Sequence, residues 1–151
     1  MTNMHIEFAI FYKYLNYQDF EKNIAKANVI WYEVFGKTYN EGECSSDKLV
    51  IGSINDKPVC CGTIDVYCNI SLISCIASNP GNNDYETLLM EYIINYLKII
   101  KINKINLNID IDENSDRLIN FYSKFGFIKQ NDFYSIFEYN PYIEYRMALI
   151  L

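Results

Sequence analysis

The stretch that most limits what this chain can fold into is Asn114–Gln130, NSDRLINFYSKFGFIKQ, where a helical pattern stops abruptly at a glycine. Apolar residues recur at helical spacing over Ser115–Phe125, so we predict a short helix there. Gly126 can take the left-handed conformation that ends a helix, and Phe127 then begins a strand. The stretch therefore predicts a helix, a break and a strand in direct succession.

The period of the apolar residues and the positions of turn residues divide the rest of the chain into strands and helices. After Asn103, Ile and Leu alternate strictly with Asn and Asp, which predicts a half-buried strand with one polar face. The turn Asn55–Pro58 joins two strands as a hairpin. The predicted strands are His5–Tyr12, Leu49–Ile54, Val59–Tyr67, Ile70–Ala77, Ile105–Ile111, Phe127–Gln130 with Phe133–Tyr139, and Ile143–Leu149. The other predicted helices are Gln18–Val34 and Asp84 to about Lys101, and Lys37–Asp47 is predicted to be an exposed loop or a short irregular helix.

This order of elements predicts one α+β domain over residues 1–151, with a mixed, mostly antiparallel central sheet flanked by helices. The formal net charge of -6 makes the field around the protein repel phosphate backbones and anionic lipid surfaces. No apolar stretch of about eighteen residues occurs, and the N-terminus MTNMHIEF lacks the features of a signal peptide. We therefore expect a cytoplasmic protein without nucleic-acid or membrane partners.

The five cysteines are odd in number and fall mostly within predicted strands. Buried thiols that act as small hydrophobic residues are favoured over disulfides or metal ligands. With no CxxC spacing and His5 as the only histidine, we predict no metal site. The cysteines are Cys44, Cys60, Cys61, Cys68 and Cys75.

The segment IDIDENSDRLINFYSKFGFIK resembles the end of a GNAT-superfamily N-acetyltransferase domain. That family shows a helix of the form N-x-x-A-I-x-F-Y-x-K-x-G-F after a strand and a polar turn. Ser115 stands in place of the Asn and Leu118 in place of the Ala. The matching positions are Ile119, Phe121, Tyr122, Lys124, Gly126 and Phe127. The element order resembles that of the family over nearly the whole chain, which implies a GNAT-like acyl-CoA N-acyltransferase fold.

The resemblance implies acetyl-coenzyme A as the cofactor. In the family its pantetheine pairs with strand 4, in a V between strands 4 and 5, and its pyrophosphate sits on the N-terminus of the next helix, where backbone N–H groups favour an anion. The same comparison implies a set of cofactor-binding residues. They are Cys75, Ile76, Ala77, Gly81, Asn82, Asn83, Asp84, Tyr85, Ser115 and Tyr122.

The pyrophosphate loop departs from the family pattern Q/R-x-x-G-x-G/A. Pro80 occupies the position of the Arg or Gln, Asn83 that of the first required Gly, and Tyr85 that of the second Gly or Ala. In addition, Asp84 and Glu86 place carboxylates at the start of the helix. Asn83 and Glu86 have the spacing of a capping box, which would satisfy the first N–H groups internally. Backbone amides do not depend on side-chain identity, however, and Asn tolerates left-handed conformations. Both alternatives stay open: a working anion site and a closed one.

Tyr122 matches the family's helix tyrosine, which resembles a general acid that protonates the departing coenzyme A thiolate. The alternative is that it only packs against Phe121. A general base is harder to assign because strand 4 contains no acid. The candidates are Asp65 on strand 3 and, after it, Asp110 and Asp112. Cys75 is favoured as a packing residue over a nucleophile, since no paired His is at hand.

Two functions remain. The first is an N-acetyltransferase that moves an acetyl group from acetyl-coenzyme A to a primary amine of a small molecule or a protein. The acidic balance favours a cationic acceptor. The second is a catalytically silent GNAT-fold binding protein with a degenerate cofactor loop. Its partner surface, or that of a homodimer, would use the aromatic residues Phe133, Tyr134, Tyr139 and Tyr142.

Overall fold

The computed structural model describes residues 5–39, 46–79, 84–130 and 144–151. Within them the sheet order is β1-β2-β3-β4-β5-β7-β6. The strands are β1 (Glu7–Tyr12), β2 (Lys48–Ile54), β3 (Lys57–Tyr67), β4 (Ile70–Ser78), β5 (Lys104–Asp110), β6 (Ile128–Gln130) and β7 (Glu144–Ile150). The helices are α1 (Tyr17–Phe35), α2 (Asp84–Ile99) and α3 (Ser115–Ser123).

The β4–β5 pair is parallel, and the pairs β1–β2, β2–β3, β5–β7 and β6–β7 are antiparallel. The predicted α+β class with a mixed, mostly antiparallel sheet is therefore confirmed. The predicted strand Phe133–Tyr139 lies outside the described residues, as do the aromatic residues of the predicted partner surface. None of the described helices is both long and apolar enough to cross a membrane.

The described residues form two compact units, drawn from Met1–Asp65 with Cys75–Leu97 and from Val66–Ser74 with Lys98–Leu151. The single domain over residues 1–151 stays a prediction.

The core of the first unit lies between α1 and the strands β2 to β4. Helix α1 starts where the Asn16 side chain accepts a hydrogen bond from the Asp19 N–H, and it ends at Gly36 with φ 72°. The core cluster comprises Phe20, Ile24, Ala27, Ile30 and Trp31 of α1 with Leu49, Ile51, Cys61 and Ala77 of the strands. Val29 and Val34 share the helical spacing but lie on its outer side, with 64% and 40% of their surface exposed.

The hairpin between β2 and β3 is tighter than the predicted four-residue turn. Only Asn55 and Asp56 form it, with φ values of 50° and 64°, while Lys57 and Pro58 already pair within the ladder. Two successive positive φ values are typical of a type I′ turn, whose twist matches that of the strands. The Asn-Asp pair tolerates this conformation better than most residues, so the prediction of a turn over Asn55–Pro58 was too long.

Helix α2 packs on the face of the first unit that is opposite to α1. The Phe8 and Tyr92 rings stack with centroids 4.7 Å apart, and the Tyr12 and Tyr96 hydroxyl groups lie 3.2 Å apart. The helix ends at Ile99, two residues before the predicted end, because Lys101 takes a left-handed conformation with φ 68°.

The second unit is built on β5 and β7, which pair from Lys104–Ile150 to Asp110–Glu144. The predicted strand and its buried Ile and Leu residues are confirmed, but its polar face is not uniformly exposed, because Asn106 is only 4% exposed. Asn108 on the same face accepts a hydrogen bond from Nε of the buried Arg146 on β7. The Asn106 side-chain oxygen, by contrast, is buried with no hydrogen-bond partner among the described residues.

Candidate functional site

The backbone of β4 is irregular in its second half. Its parallel pairing with β5 covers three pairs, from Ile70–Lys104 to Leu72–Asn106. Beyond them Cys75 takes a left-handed conformation with φ 54°. We call this position the bend in β4. For a residue with a side chain this conformation costs about 1–2 kcal/mol, so neighbouring contacts have to hold it. Such strain clusters at functional sites, which makes Cys75 the first marker of a site.

The contact that holds Cys75 comes from α1. The indole Nε1–H of the fully buried Trp31 donates a 2.9 Å hydrogen bond to the Cys75 carbonyl oxygen. The Cys75 side chain packs against the core cluster to which Trp31 belongs. A strand carbonyl that accepts from a helix side chain is turned out of the plane of the sheet, since ladder bonds lie within that plane.

Tyr39, which follows α1, is held against Asn28 and Trp31 of that helix. Tyr39 N–H donates to Asn28 Oδ1 at 2.7 Å, and Asn28 Nδ2 donates to the Tyr39 carbonyl oxygen at 2.6 Å. The Tyr39 ring lies edge-on against Trp31, with centroids 5.3 Å apart and planes at 84°. Three contacts thus hold the Tyr39 backbone and ring beside the bend in β4.

The Tyr39 phenol stays protonated near neutral pH. Burial raises its pKa, and the nearby Cys75 thiol, to which it is hydrogen-bonded, raises it further. A hydrogen bond with Lys37 acts in the opposite direction; the Lys37 ammonium lies 5.3 Å from the Tyr39 ring centroid. A neutral phenol both donates and accepts hydrogen bonds, so the Tyr39 oxygen can accept a hydrogen bond from the N–H group of a ligand.

The start of α2 is tied to the end of β4. The Ser78 hydroxyl donates a 3.2 Å hydrogen bond to Glu86 Oε1. Glu86 also lies near the buried Cys60 thiol, whose pKa burial raises to about 12, with the Glu86 charge adding to the rise. The Glu86 side chain is thus turned towards β4 and β3. The capping box of Asn83 and Glu86 stays a prediction, because Asn83 lies outside the described residues.

The other predicted residues of the cofactor loop divide into two groups. Asp84 is exposed and Tyr85 half-buried in the first turn of α2. The remaining ones lie outside the described residues, so the sequence predictions for them stay predictions. These are Pro80, Gly81, Asn82 and Asn83.

In the second unit, α3 carries Ser115 and Tyr122, which are 7% and 8% exposed. The Ser115 hydroxyl donates to the Asp112 carbonyl oxygen at 2.7 Å and so closes the turn before the helix. The Tyr122 ring makes edge contacts with Phe121 at 5.1 Å and Phe127 at 5.9 Å between centroids. Its ring therefore has a packing role whatever its hydroxyl does.

The candidate bases have structural contacts. Asp65 Oδ2 accepts from the Ser46 hydroxyl at 2.8 Å, and its Oδ1 accepts from the Asp47 N–H at 3.2 Å. Asp112 Oδ1 accepts from the Asn114 N–H at 2.7 Å. Asp110 ends β5 and is exposed. These contacts fix the start of β2 and the turn before α3; a catalytic role for Asp65 stays a prediction.

Sequence reasoning placed Cys75, Ile76 and Ala77 on β4, and the structure does so too, with Ala77 fully buried. It missed Trp31, Asn28 and Tyr39, which the structure brings to Cys75. Trp31 was predicted only as part of the helix Gln18–Val34. The available signal was that the chain's single tryptophan lies three residues after Asn28 on one helix face, shortly before Gly36.

Comparison with solved structures shows the fold. Ard1 from Thermoplasma volcanium superposes with a TM-score of 0.72 at 16% identity, over 97% of each chain. The ribosomal-protein-S18-alanine N-acetyltransferase from Escherichia coli gives a TM-score of 0.70 at 16% identity, over 95% of this chain and 94% of that one. The PaiA N-acetyltransferase from Thermoplasma acidophilum was solved in complex with coenzyme A. It gives a TM-score of 0.65 at 13% identity, over 98% of this chain and 100% of that one.

No protein-family model matches this sequence, and no curated protein matches it significantly. The chain nevertheless has the fold of the GNAT acyl-CoA N-acyltransferases along nearly its whole length. The expected fold is confirmed.

Proposed function

We propose that this protein is an N-acetyltransferase that moves the acetyl group of acetyl-coenzyme A to a primary amine. The observation that carries the proposal is the bend in β4, where Cys75 has φ 54° and its carbonyl is held by Trp31. The fold is that of N-acetyltransferases, one of which was solved with coenzyme A. Fold alone does not give function, so the bend in β4 carries the proposal.

The donor side of the proposed site is the second half of β4 together with the start of α2. Backbone groups of Cys75, Ile76 and Ala77 would pair with the extended pantetheine arm. The first amides of α2 would face the pyrophosphate, since the start of a helix favours an anion. The Ser78–Glu86 hydrogen bond ties this first turn to the end of β4, so the two parts of the proposed donor site are held together.

The reaction needs a neutral amine, a polarised thioester and a proton for the leaving thiolate. The amine nitrogen attacks the thioester carbonyl carbon and the C–N bond forms; the C–S bond then breaks and coenzyme A leaves as the thiol. The nitrogen loses one proton in this step, and that proton restores the group that protonated the sulfur. Tyr122 is the proposed proton donor to sulfur, since a phenol with a pKa near 10 can protonate a thiolate. Asp65 is the proposed base, acting through water on the ammonium group.

The acceptor side of the proposed site is Tyr39 and the segment that leads to it. Asn28 and Trp31 hold Tyr39 by its backbone and its ring beside Cys75. A protonated phenol there would orient the incoming amine by a hydrogen bond. The net charge of -6 favours a cationic acceptor over an anionic one.

One observation favours a second function, a binding protein of the same fold that does not use coenzyme A. Asp84 and Glu86 place two carboxylates in the first turn of α2, which weakens the attraction of that turn for a pyrophosphate. In this alternative the helix start stabilises itself and the fold presents a surface to a protein partner.

The experiment that tests the proposal is an acetyl-transfer assay on the purified protein with spermidine, lysine amide and a peptide that begins with alanine. Mass spectrometry detects the acetylated product. We expect saturable transfer to at least one of these amines. A folded protein that yields no product above the uncatalysed rate with any of them would contradict the proposal and favour the binding protein.

A further inference from the structure

The Trp31 side chain joins α1, the segment after it and the bend in β4. It is the chain's only tryptophan and is fully buried. Its ring contacts Tyr39 edge-on and its Nε1–H reaches the Cys75 carbonyl oxygen. Packing on both sides fixes the direction of the N–H bond, because a buried indole with a ring neighbour has little rotational freedom.

The hydrogen bond sets the orientation of one peptide group. No described peptide bond is cis, so the Cys75–Ile76 peptide is planar and trans. In a trans peptide the C=O and the following N–H point in opposite directions. Since the Cys75 carbonyl points at α1, the Ile76 N–H points away from α1.

A backbone N–H held in a fixed direction suits the stabilisation of a developing oxyanion. Because the donor is already oriented, it needs no reorganisation when the thioester oxygen becomes negative. We propose that Trp31 is a positioning residue for acetyl transfer: its hydrogen bond to Cys75 fixes the peptide that presents the Ile76 N–H to the thioester oxygen. This inference rests on the proposed N-acetyltransferase function.

The single tryptophan permits a replacement that removes only the hydrogen-bond donor. Expression in a tryptophan auxotroph supplied with β-(3-benzothienyl)alanine puts sulfur in place of the indole N–H and keeps the shape of the ring. The matched control is 5-fluorotryptophan at the same position, which keeps the N–H. Both proteins are assayed with acetyl-coenzyme A and the best amine among spermidine, lysine amide and the alanine peptide.

We expect the benzothienyl protein to lose at least tenfold in kcat, with KM for acetyl-coenzyme A changed less than threefold, while the fluorotryptophan protein keeps the wild-type kcat. The Ile76 amide signal should move in the ¹H–¹⁵N spectrum of the benzothienyl protein alone. If the benzothienyl protein does not fold, Trp31→Phe replaces it, with Phe20→Leu as a control of similar core loss but no lost donor.

The role of Trp31 is overturned if the wild type is active and the benzothienyl protein is equally active. The same holds if Trp31→Phe is no slower than Phe20→Leu. Both outcomes leave the proposed function intact. A wild type that transfers no acetyl group overturns both. A kcat loss shared by the fluorotryptophan protein would also contradict the inference, since that protein retains the donor.

Discussion

The Tyr122 ring lies edge-on against Phe127, with centroids 5.9 Å apart, across the turn that ends α3. The Phe127 N–H donates to the Tyr122 carbonyl oxygen at 3.3 Å, and Gly126 between them has φ 98°. A Cβ on Gly126 would come within 3.1 Å of the Leu149 side chain. The ring of Tyr122 thus belongs to the packing of the turn.

The change Tyr122→Phe separates this packing role from the proposed proton transfer because it keeps the ring and removes the hydroxyl. We expect kcat to fall at least tenfold, a bound set below the roughly hundredfold or more that a general acid typically contributes, with the thermal midpoint within about 2 °C of the wild type. Tyr92→Phe, which also keeps a stacked ring, is the control and should leave kcat unchanged. Full activity of Tyr122→Phe would remove Tyr122 from the mechanism.

Gly52 and Gly36 should respond differently to alanine. A Cβ on Gly52 would lie 2.6 Å from Cys60 Sγ and 2.7 Å from Phe8 Cε1, whereas nothing lies within 4 Å of a Cβ on Gly36. We expect Gly52→Ala to lower the free energy of unfolding by about 1–3 kcal/mol through overpacking. Gly36→Ala should cost about 1 kcal/mol through its positive φ.

Urea titration of the single variants and of each combined with Cys60→Ala tests this difference. Removing the thiol should recover part of the loss in Gly52→Ala and none of the loss in Gly36→Ala, because only Gly52 neighbours Cys60. Additive losses in the Gly52–Cys60 pair would show that the clash is relieved in another way.

The charge at the start of α2 should weaken coenzyme A binding without abolishing it. Asp84 is exposed in the first turn of the helix, so Asp84→Asn removes a negative charge near the proposed pyrophosphate site. We expect the Kd for coenzyme A to fall about two- to fivefold, in line with the 0.3–1 kcal/mol of a charge at a helix end. Glu91→Gln, also exposed on α2 but beyond the first turn, should change Kd less.

Salt provides the check on that comparison. The difference between Asp84→Asn and the wild type should shrink as ionic strength rises, because exposed charges are screened. A difference that persists in 1 M salt would point to a structural cause.

The stability of the protein should fall at alkaline pH. Burial raises the pKa of Cys60 to about 12 in the folded state, whereas an unfolded thiol has a pKa near 8.5. Because the pKa of the thiol is higher in the folded state, the thiol contributes its full stabilisation at pH values below the pKa of the unfolded state. This stabilisation is lost as the pH rises towards the pKa of the folded state. The free energy of unfolding should therefore decrease above about pH 8.5, by up to about 1.4 kcal/mol per pH unit for this group.

Urea titrations between pH 7 and pH 10.5 measure this slope. Cys60→Ala should reduce the slope but not remove it, since burial also raises the pKa of Cys61. The exposed Cys68 provides the control, because Cys68→Ala should leave the slope as it is. A slope that Cys60→Ala does not change would mean that the Cys60 thiol does not contribute.

Local patterns in the sequence predicted much of the fold. The helix before Gly126, the buried Phe127 and the hairpin at Asn55 depend on neighbouring residues and on φ preferences, which a sequence displays directly. The apolar periodicity also predicted α1. It could not separate Trp31 from Val34, because which apolar residue faces the sheet depends on how the helix is rotated against it.

The candidate site was less accessible to sequence reasoning. The hydrogen bond from Trp31 to Cys75 joins residues 44 positions apart, and the Arg146–Asn108 bond joins residues 38 apart. No local pattern encodes such pairs. The left-handed conformation of Cys75 was equally hidden, since this residue type does not favour it and only the tertiary contacts maintain it.

The most direct test of the account is a calorimetric titration of the purified protein with acetyl-coenzyme A, with coenzyme A titrated in parallel. We predict binding of both with Kd in the micromolar range, since the β4 backbone and the first amides of α2 would hold the parts that the two ligands share. No heat and no thermal shift at millimolar ligand would contradict the proposed N-acetyltransferase function and favour the binding protein of the same fold.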